Sequence, residues 1–214
     1  MKRLIISLIL IGSFSIAQAC TTFTINDGKG NIVFGRNFDF PVGMGHIEVN
    51  YRGVHKTAFV RPPEVPVAWV SKYGSITFNQ IGREFPYGGM NEAGLVVEQM
   101  WLQEVIDSVA QENNTQWSIV YDISHQKIAF RSTVNPEIQA ISMADFDFSC
   151  REELLFADMS WDIGGSESFL TLSREENLSL IRTVVAGVDF LRSNVPDEAN
   201  VAMTDYAFGL QCID

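Results

Sequence analysis

The chain has 214 residues and a formal net charge of −11. This length is enough for one domain with a substantial core. A chain this acidic is a poor candidate for binding nucleic acid or anionic lipid surfaces, because both need basic patches. We therefore expect no nucleic acid among its partners.

Residues 1–19 have the features of a signal peptide. Lys2 and Arg3 give a cationic start, an apolar run follows, and small residues at 17–19 provide a cleavage site. The apolar run is shorter than the roughly 20 residues that a bilayer needs. We predict cleavage after Ala19, a net charge of −13, and a secreted or periplasmic single domain at 20–214 without a membrane anchor.

Residues 21–25 and 32–40 predict two strands, because they are rich in β-branched and apolar residues and flank dense turn chemistry. The resulting hairpin places Cys20 at the start of one strand. Arg36 and Asp39 lie towards the end of its partner. These positions are neighbours in an antiparallel pair, so the three polar groups can meet in space.

The remaining elements complete an α+β pattern of antiparallel sheets covered by helices. Ser173 and Glu176 form a capping box, which opens a helix running to about Leu191. No repeat or linker divides the chain. The other predicted elements are strands at 47–51, 57–60, 75–80, 95–101, 116–122 and 127–132, a tight turn at 87–94 and a short helix at 102–112.

Cleavage before Cys20 would place a nucleophile and a base on one residue. The thiol is nucleophilic once deprotonated, and the free α-amino group has a pKa of about 7.7–8.0. This arrangement needs no histidine, metal or organic cofactor. The three histidines, His46, His55 and His125, lie in no motif, and we predict structural or surface roles for them.

Three further residues fit the needs of such a nucleophile. Arg36 can favour the thiolate, and Asp39 can hold the α-amine while raising its pKa. Asn91, in a glycine-rich turn, can offer an N–H to a developing oxyanion. Each also has a structural interpretation: Arg36 and Asp39 can form a buried ion pair, and an asparagine in a turn tolerates positive φ.

Three motifs resemble the choloylglycine hydrolase family: residues 20–23 (CTTF), 35–39 (GRNFD) and 89–95 (GMNEAGL). This family includes conjugated bile salt hydrolases and penicillin V acylases. The resemblance implies an N-terminal nucleophile hydrolase with an αββα sandwich that cleaves linear amide C–N bonds. It also implies that Cys20 is the nucleophile, that Arg36 and Asp39 are its polar partners and that Asn91 contributes to the oxyanion site.

The resemblance runs from Cys20 to about Trp101 and resumes at 115–122 and 146–150. A long central stretch of family members is absent, and with it a second oxyanion asparagine and a late arginine. We expect an incomplete sandwich, and we do not assign Asn135 to the missing role. Because family members are often tetramers, a homo-oligomer is one expectation.

Several alternatives stay open at this stage. The expected substrate is a small N-acyl amide, such as an acylated amino acid, a bile salt, a penicillin V-like side chain or an acyl-homoserine lactone. The chain could instead be an impaired relative that only binds acyl ligands. It could also be a lipoprotein acylated at Cys20. Cys150 and Cys212 could pair, which would leave Cys20 over.

Overall fold

The structure is a computed structural model that describes residues 21–60, 62–99 and 115–213. Cys20 and the helix predicted at 102–112 lie outside these residues. The strands are β1 Thr22–Asn26, β2 Ile32–Asp39, β3 His46–Asn50, β4 Val54–Thr57, β5 Ala68–Val70, β6 Ser75–Asn79, β7 Pro86–Asn91, β8 Val96–Glu98, β9 Thr115–Asp122, β10 Lys127–Ser132, β11 Gln139–Ser142, β12 Leu155–Asp158, β13 Leu170–Thr171 and β14 Gln211–Cys212. The helices are α1 Arg174–Gly187, α2 Asp189–Asn194 and α3 Asp197–Phe208, with 3-10 turns at Met143–Asp145 and Ser166–Ser168.

Two antiparallel sheets form the body of the fold. The five-stranded sheet has the order β1-β2-β9-β10-β11, and the six-stranded sheet has the order β13-β12-β3-β6-β7-β8. A small third sheet, β14-β4-β5, joins the end of the chain to the β4–β5 hairpin. The predicted α+β class is confirmed.

The core lies between the two large sheets, because alternate residues of their strands point towards each other. Phe38 and Trp117 from the five-stranded sheet stack with ring centroids 4.6 Å apart. Ile47 and Ile76 contribute from the six-stranded sheet, and all four side chains are buried. Alternate residues of β2 face the core, and Arg36 occupies the inward-facing position between Phe34 and Phe38. A charged side chain is therefore buried between the sheets.

Helix α1 begins where the sequence predicts. The Ser173 side chain accepts a hydrogen bond from the Glu176 N–H, and the Glu176 carboxylate accepts one from the Ser173 N–H, so both orphan donors are satisfied. The predicted helix ends early, at Gly187, and Val188 in an extended conformation separates it from α2. None of the helices in the described part of the chain is long and apolar enough to cross a membrane.

The predicted hairpins at 21–40 and 116–132 are confirmed within a residue or two. The turn predicted at 87–94 is wrong over its first half, because β7 continues through Gly88 and Gly89 to Asn91. The two glycines stand in the strand because neighbouring groups leave no room for a side chain. A Cβ on Gly88 would overlap the Glu98 carboxylate, and one on Gly89 would overlap the Ile76 carbonyl oxygen.

Cys150 and Cys212 form a disulfide that joins positions 62 residues apart. It holds β14 beside β4, where Cys212 pairs with Val54. The Cys150–Cys212 pairing, which the sequence left open, is therefore present. Since the chain has three cysteines, Cys20 is the one that this disulfide does not use.

Candidate active site

The β1–β2 hairpin determines which residues surround the start of the described chain. Thr22 lies directly opposite Arg36, and the Asn37 N–H donates to the Thr21 carbonyl at 2.8 Å. Because β1 and β2 run antiparallel, the chain that enters β1 approaches the end of β2 that carries Phe38 and Asp39. The hairpin therefore has the predicted orientation.

Arg36 reaches across the gap between the two sheets. Its Nη1 group forms an ion pair with Glu98 of β8 and donates to the Tyr87 carbonyl of β7 at 3.2 Å. Its guanidinium carbon also lies 5.0 Å from the centroid of the Phe38 ring. The side chain is 1% exposed, so its charge acts in a low-dielectric environment where Coulomb interactions are strong.

Glu98 binds a second partner through its other carboxylate oxygen. The Tyr121 hydroxyl, from β9, donates to Glu98 Oε1. Burial raises the pKa of Glu98, and Arg36 and the Tyr121 hydrogen bond oppose that shift. Burial and the adjacent Glu98 raise the pKa of Tyr121 well above its ordinary value, so it acts as a neutral donor.

Sequence reasoning missed Glu98 and Tyr121. Both stand in strands whose other inward positions are apolar, and a carboxylate in such a strand is rare unless it is paired. Glu98 follows Val96 and Val97 in a short apolar stretch, and two consecutive glycines, Gly88 and Gly89, precede it by ten and nine residues. These glycines are the one signal that could have indicated a bulky partner across the hairpin.

Asp39 stands three residues beyond Arg36, about 10 Å further along β2. The Thr115 hydroxyl donates to Asp39 Oδ1 at 2.6 Å. The register of β2 on β9 shifts between Phe38 and Asp39, which marks a bulge at this end of the strand. A β-bulge next to an active site changes the direction in which side chains point. Here the bulge directly precedes Asp39, whose carboxylate is partly exposed.

Asn91 uses its side-chain oxygen to organise the turn between β7 and β8. Its Oδ1 atom accepts from the N–H groups of Ala93 at 3.0 Å and Leu95 at 2.9 Å. Its carbonyl oxygen accepts from the N–H of Gly94, which has a φ of +81°. An Asx side chain that accepts from the following backbone in this way is typical of tight turns.

The structure places this turn away from Asp39. The turn contacts the β9–β10 connection, where Gln126 Nε2 donates to the Glu92 carbonyl at 2.8 Å. The same connection lies at the Ile32 end of β2, because the Ile123 N–H donates to the Ile32 carbonyl. Asp39 is at the opposite end of β2. Arg36 and Asp39 are thus brought to one end of the sandwich, and Asn91 is not.

The histidines have other surroundings. His46 is buried against Phe156, with ring centroids 4.5 Å apart, and burial lowers its pKa to about 4. His125 pairs with Asp122 on the surface, and His55 is exposed on β4. Across 21–60, 62–99 and 115–213, no group of three His, Cys, Asp or Glu residues could hold a metal ion.

No protein family's sequence profile and no curated protein sequence matches this chain. Among solved structures it is similar to penicillin V acylase from Agrobacterium tumefaciens, with a TM-score of 0.57 and 14% sequence identity. The likeness covers 71% of this chain and 97% of the acylase chain. The chain has the fold of a penicillin V acylase.

A mutant conjugated bile acid hydrolase from Clostridium perfringens also matches, over 76% of this chain and 57% of the hydrolase chain. The identity of this second pair is 13% and its TM-score is 0.28. Penicillin V acylases are among the proteins that the sequence motifs resemble. At such low identity the first likeness establishes the fold alone, and the predicted fold is confirmed at that level.

Proposed function

We propose that the chain is an exported hydrolase that cleaves linear amide C–N bonds of N-acyl compounds, with Cys20 as its nucleophile. One observation carries this proposal. In the fold of a penicillin V acylase, the register of β1 on β2 leads the start of the chain to the strand end that holds Arg36 and Asp39. Removal of residues 1–19 would free the thiol and the α-amine of Cys20 together.

The proposed roles follow from position. Arg36 lies opposite Thr22 in the β1–β2 register, and we propose that Cys20, two residues earlier in the chain, acts on that same face of the sheet. A guanidinium on that face favours the thiolate form of a nearby thiol. Asp39, at the partly exposed end of β2, would hold the α-ammonium or α-amine of Cys20.

The proposed reaction has two stages. The Cys20 thiolate attacks the acyl carbonyl carbon, and the tetrahedral intermediate collapses as the C–N bond breaks and the α-ammonium gives its proton to the leaving nitrogen. Water, deprotonated by the α-amine, then attacks the thioester, and the C–S bond breaks to release the carboxylic acid and the Cys20 thiolate, with the α-ammonium restored. No cofactor enters either stage. The oxyanion role that the sequence resemblance implies for Asn91 stays a prediction, and the proposed reaction does not rely on it, because the Asn91 turn lies at the Ile32 end of β2.

The test is amide hydrolysis by the chain that begins at Cys20. The substrates are penicillin V, a glycine-conjugated bile salt and an N-acyl-homoserine lactone, with Cys20→Ala and Cys20→Ser as matched variants. We expect turnover of at least one substrate and its loss in Cys20→Ala. Equal turnover by wild type and Cys20→Ala would refute the proposal. Intact mass of the exported chain distinguishes a free Cys20 from one acylated as a lipoprotein cysteine.

A second candidate function follows from the position of Asn91. Since its turn lies at the other end of the sandwich, no side chain in the described residues is assigned to the oxyanion, and loss of one such donor costs about 100- to 1000-fold in turnover. A relative this impaired would bind acyl ligands without hydrolysing them. Calorimetric binding of penicillin V, with no product after long incubation of a folded sample, would support this function over hydrolysis.

A further inference from the structure

The Arg36–Glu98 ion pair connects the candidate site to the opposite sheet. Arg36 belongs to β2 in the five-stranded sheet and Glu98 to β8 in the six-stranded sheet. The Glu98 side chain is 4% exposed and the Arg36 side chain 1% exposed. A buried guanidinium without a counter-ion is costly, so the ion pair with Glu98 stabilises Arg36 at this position.

The position of the Glu98 carboxylate is fixed by three neighbouring groups. One oxygen accepts from Arg36, and the other accepts from the Tyr121 hydroxyl. On the third side stands Gly88, directly opposite Glu98 in the β7–β8 register, and any Cβ at Gly88 would overlap the carboxylate. The carboxylate therefore has one location, defined by three strands.

Glu98 in turn fixes the guanidinium. A single nitrogen of Arg36, Nη1, contacts both Glu98 and the Tyr87 carbonyl, and the guanidinium carbon lies over Phe38. These contacts set both the depth and the orientation of a group that otherwise has four rotatable bonds. We propose that Glu98 is a positioning residue for the hydrolase, which holds Arg36 at the nucleophile and sets how strongly Arg36 favours the thiolate.

This proposal rests on the proposed function, in which Arg36 acts on Cys20. In this proposal the charges of Arg36 and Glu98 have opposite effects on the ionisation of the Cys20 thiol. Arg36, on the strand beside β1, favours the thiolate, and Glu98, on the opposite sheet, opposes it. Glu98→Gln removes the opposing charge, so the Cys20 thiol should ionise at lower pH. The same change loosens Arg36, and misplacement by about 1 Å can cost 100-fold in turnover.

The experiment follows the pH dependence of Cys20 alkylation by iodoacetamide in the chain that begins at Cys20. Since Cys150 and Cys212 are in a disulfide, the alkylation reports Cys20. For Glu98→Gln we expect about tenfold faster alkylation at pH 6.5. A fall of about one unit in the pKa of the Cys20 thiol would give this increase, because it raises the thiolate fraction about tenfold. We also expect a 10- to 100-fold fall in kcat with KM within twofold of wild type.

Two variants separate positioning from a purely structural role. Glu84→Gln removes another buried carboxylate, the partner of Lys56, and should leave the alkylation rate unchanged. Tyr121→Phe keeps the Glu98 charge but removes its second hydrogen bond, and should also leave the rate at pH 6.5 within twofold. A folded Glu98→Gln chain with the wild-type alkylation profile would overturn the proposal.

A double variant covers the case in which Glu98→Gln does not fold. Arg36→Gln with Glu98→Gln removes both charges and leaves no uncompensated ion in the core. Because Arg36 lies on the strand beside β1 and Glu98 on the opposite sheet, we expect the loss of Arg36 to dominate, so alkylation at pH 6.5 should become slower than in wild type, and an unchanged rate would refute the proposal. Amide turnover is measured separately. A shifted alkylation profile without any turnover would refute the hydrolase function and support the effect of Glu98 on the Cys20 thiol. Cys20-dependent turnover with an unshifted profile would support the hydrolase function and refute the role of Glu98.

Discussion

Glu48 and Arg83 lie in contact in a buried polar layer beneath helix α1, with 3.6 Å between Arg83 Nη1 and Glu48 Oε2. The Glu48 side chain is fully buried, and neither of its oxygens has a hydrogen-bond partner among the described residues. Burial raises the pKa of Glu48 to about 8, although Arg83 opposes the shift. At neutral pH this carboxyl is therefore mostly protonated, which fits its loose contact with the guanidinium.

The first prediction concerns stability above neutral pH. A carboxyl whose pKa is raised on folding binds a proton in the folded state that the unfolded state has released, so stability falls as pH rises from about 4.5 towards 8. We expect the free energy of unfolding to fall by about 1–2 kcal/mol between pH 6.5 and 8. Urea titrations across this window measure it. Glu48→Gln, which cannot ionise, should remove the fall.

The second prediction concerns the acid side. Burial lowers the pKa of His46 to about 4, while Asp158 and Glu176, which face it from β12 and α1, oppose the shift. The unfolded state therefore gains a proton first as pH falls from 6.5 to 4, and stability is lost over that window. Thermal unfolding at pH 4.5 and 6.5 should show a smaller difference for His46→Gln than for wild type. A larger difference would contradict this assignment.

The hairpin that builds the site could be predicted because its information is local. Residues 21–40 contain two β-branched or apolar runs on either side of an Asn-Asp-Gly turn, and their register follows from the length of that turn. Arg36 and Asp39 were placed correctly on β2 for the same reason. The α1 capping box is equally local, since its two residues are three apart.

The partners of Arg36 could not be predicted, because they are non-local. Glu98 lies 62 residues away and belongs to a different sheet, and which positions of two sheets meet is decided by packing. The turn prediction at 87–94 failed for a related reason: glycine indicates a turn when only neighbours in sequence are considered. At Gly88 the deciding neighbour is the Glu98 side chain across the hairpin.

The third prediction tests this steric relation. Gly88→Ala places a Cβ against the Glu98 carboxylate, which must move and strain its contacts with Arg36 and Tyr121. We expect a loss of about 1–3 kcal/mol in the free energy of unfolding. Turnover by Gly88→Ala should also fall, as we expect for Glu98→Gln. The control is Gly164→Ala, where the nearest atom is at an ordinary 3.5 Å, and stability should stay within about 0.5 kcal/mol of wild type.

The fourth prediction separates the two roles of Asn91. Asn91→Ala removes the acceptor that the Ala93 and Leu95 N–H groups use, and we expect a loss of about 1–2 kcal/mol. Asn91→Asp keeps an acceptor at the same place but has no amide donor. We expect it to retain both stability and turnover, because the turn uses the acceptor alone. A 100-fold loss of kcat in stable Asn91→Asp would instead support the oxyanion role.

The fifth prediction concerns the Cys150–Cys212 disulfide. It closes a loop of 62 residues, and in the chain-entropy account a loop of this size stabilises the folded state by about 4 kcal/mol. The double variant Cys150→Ser with Cys212→Ser should lose about this much in urea unfolding, and reduced wild type should lose a similar amount. The variant should keep Cys20-dependent turnover under conditions where it is folded, because the disulfide joins β14 to the loop before β12 and touches neither Arg36 nor Asp39. Turnover that disappears while near-UV circular dichroism stays native would mean that the β14 end of the fold supports the site directly.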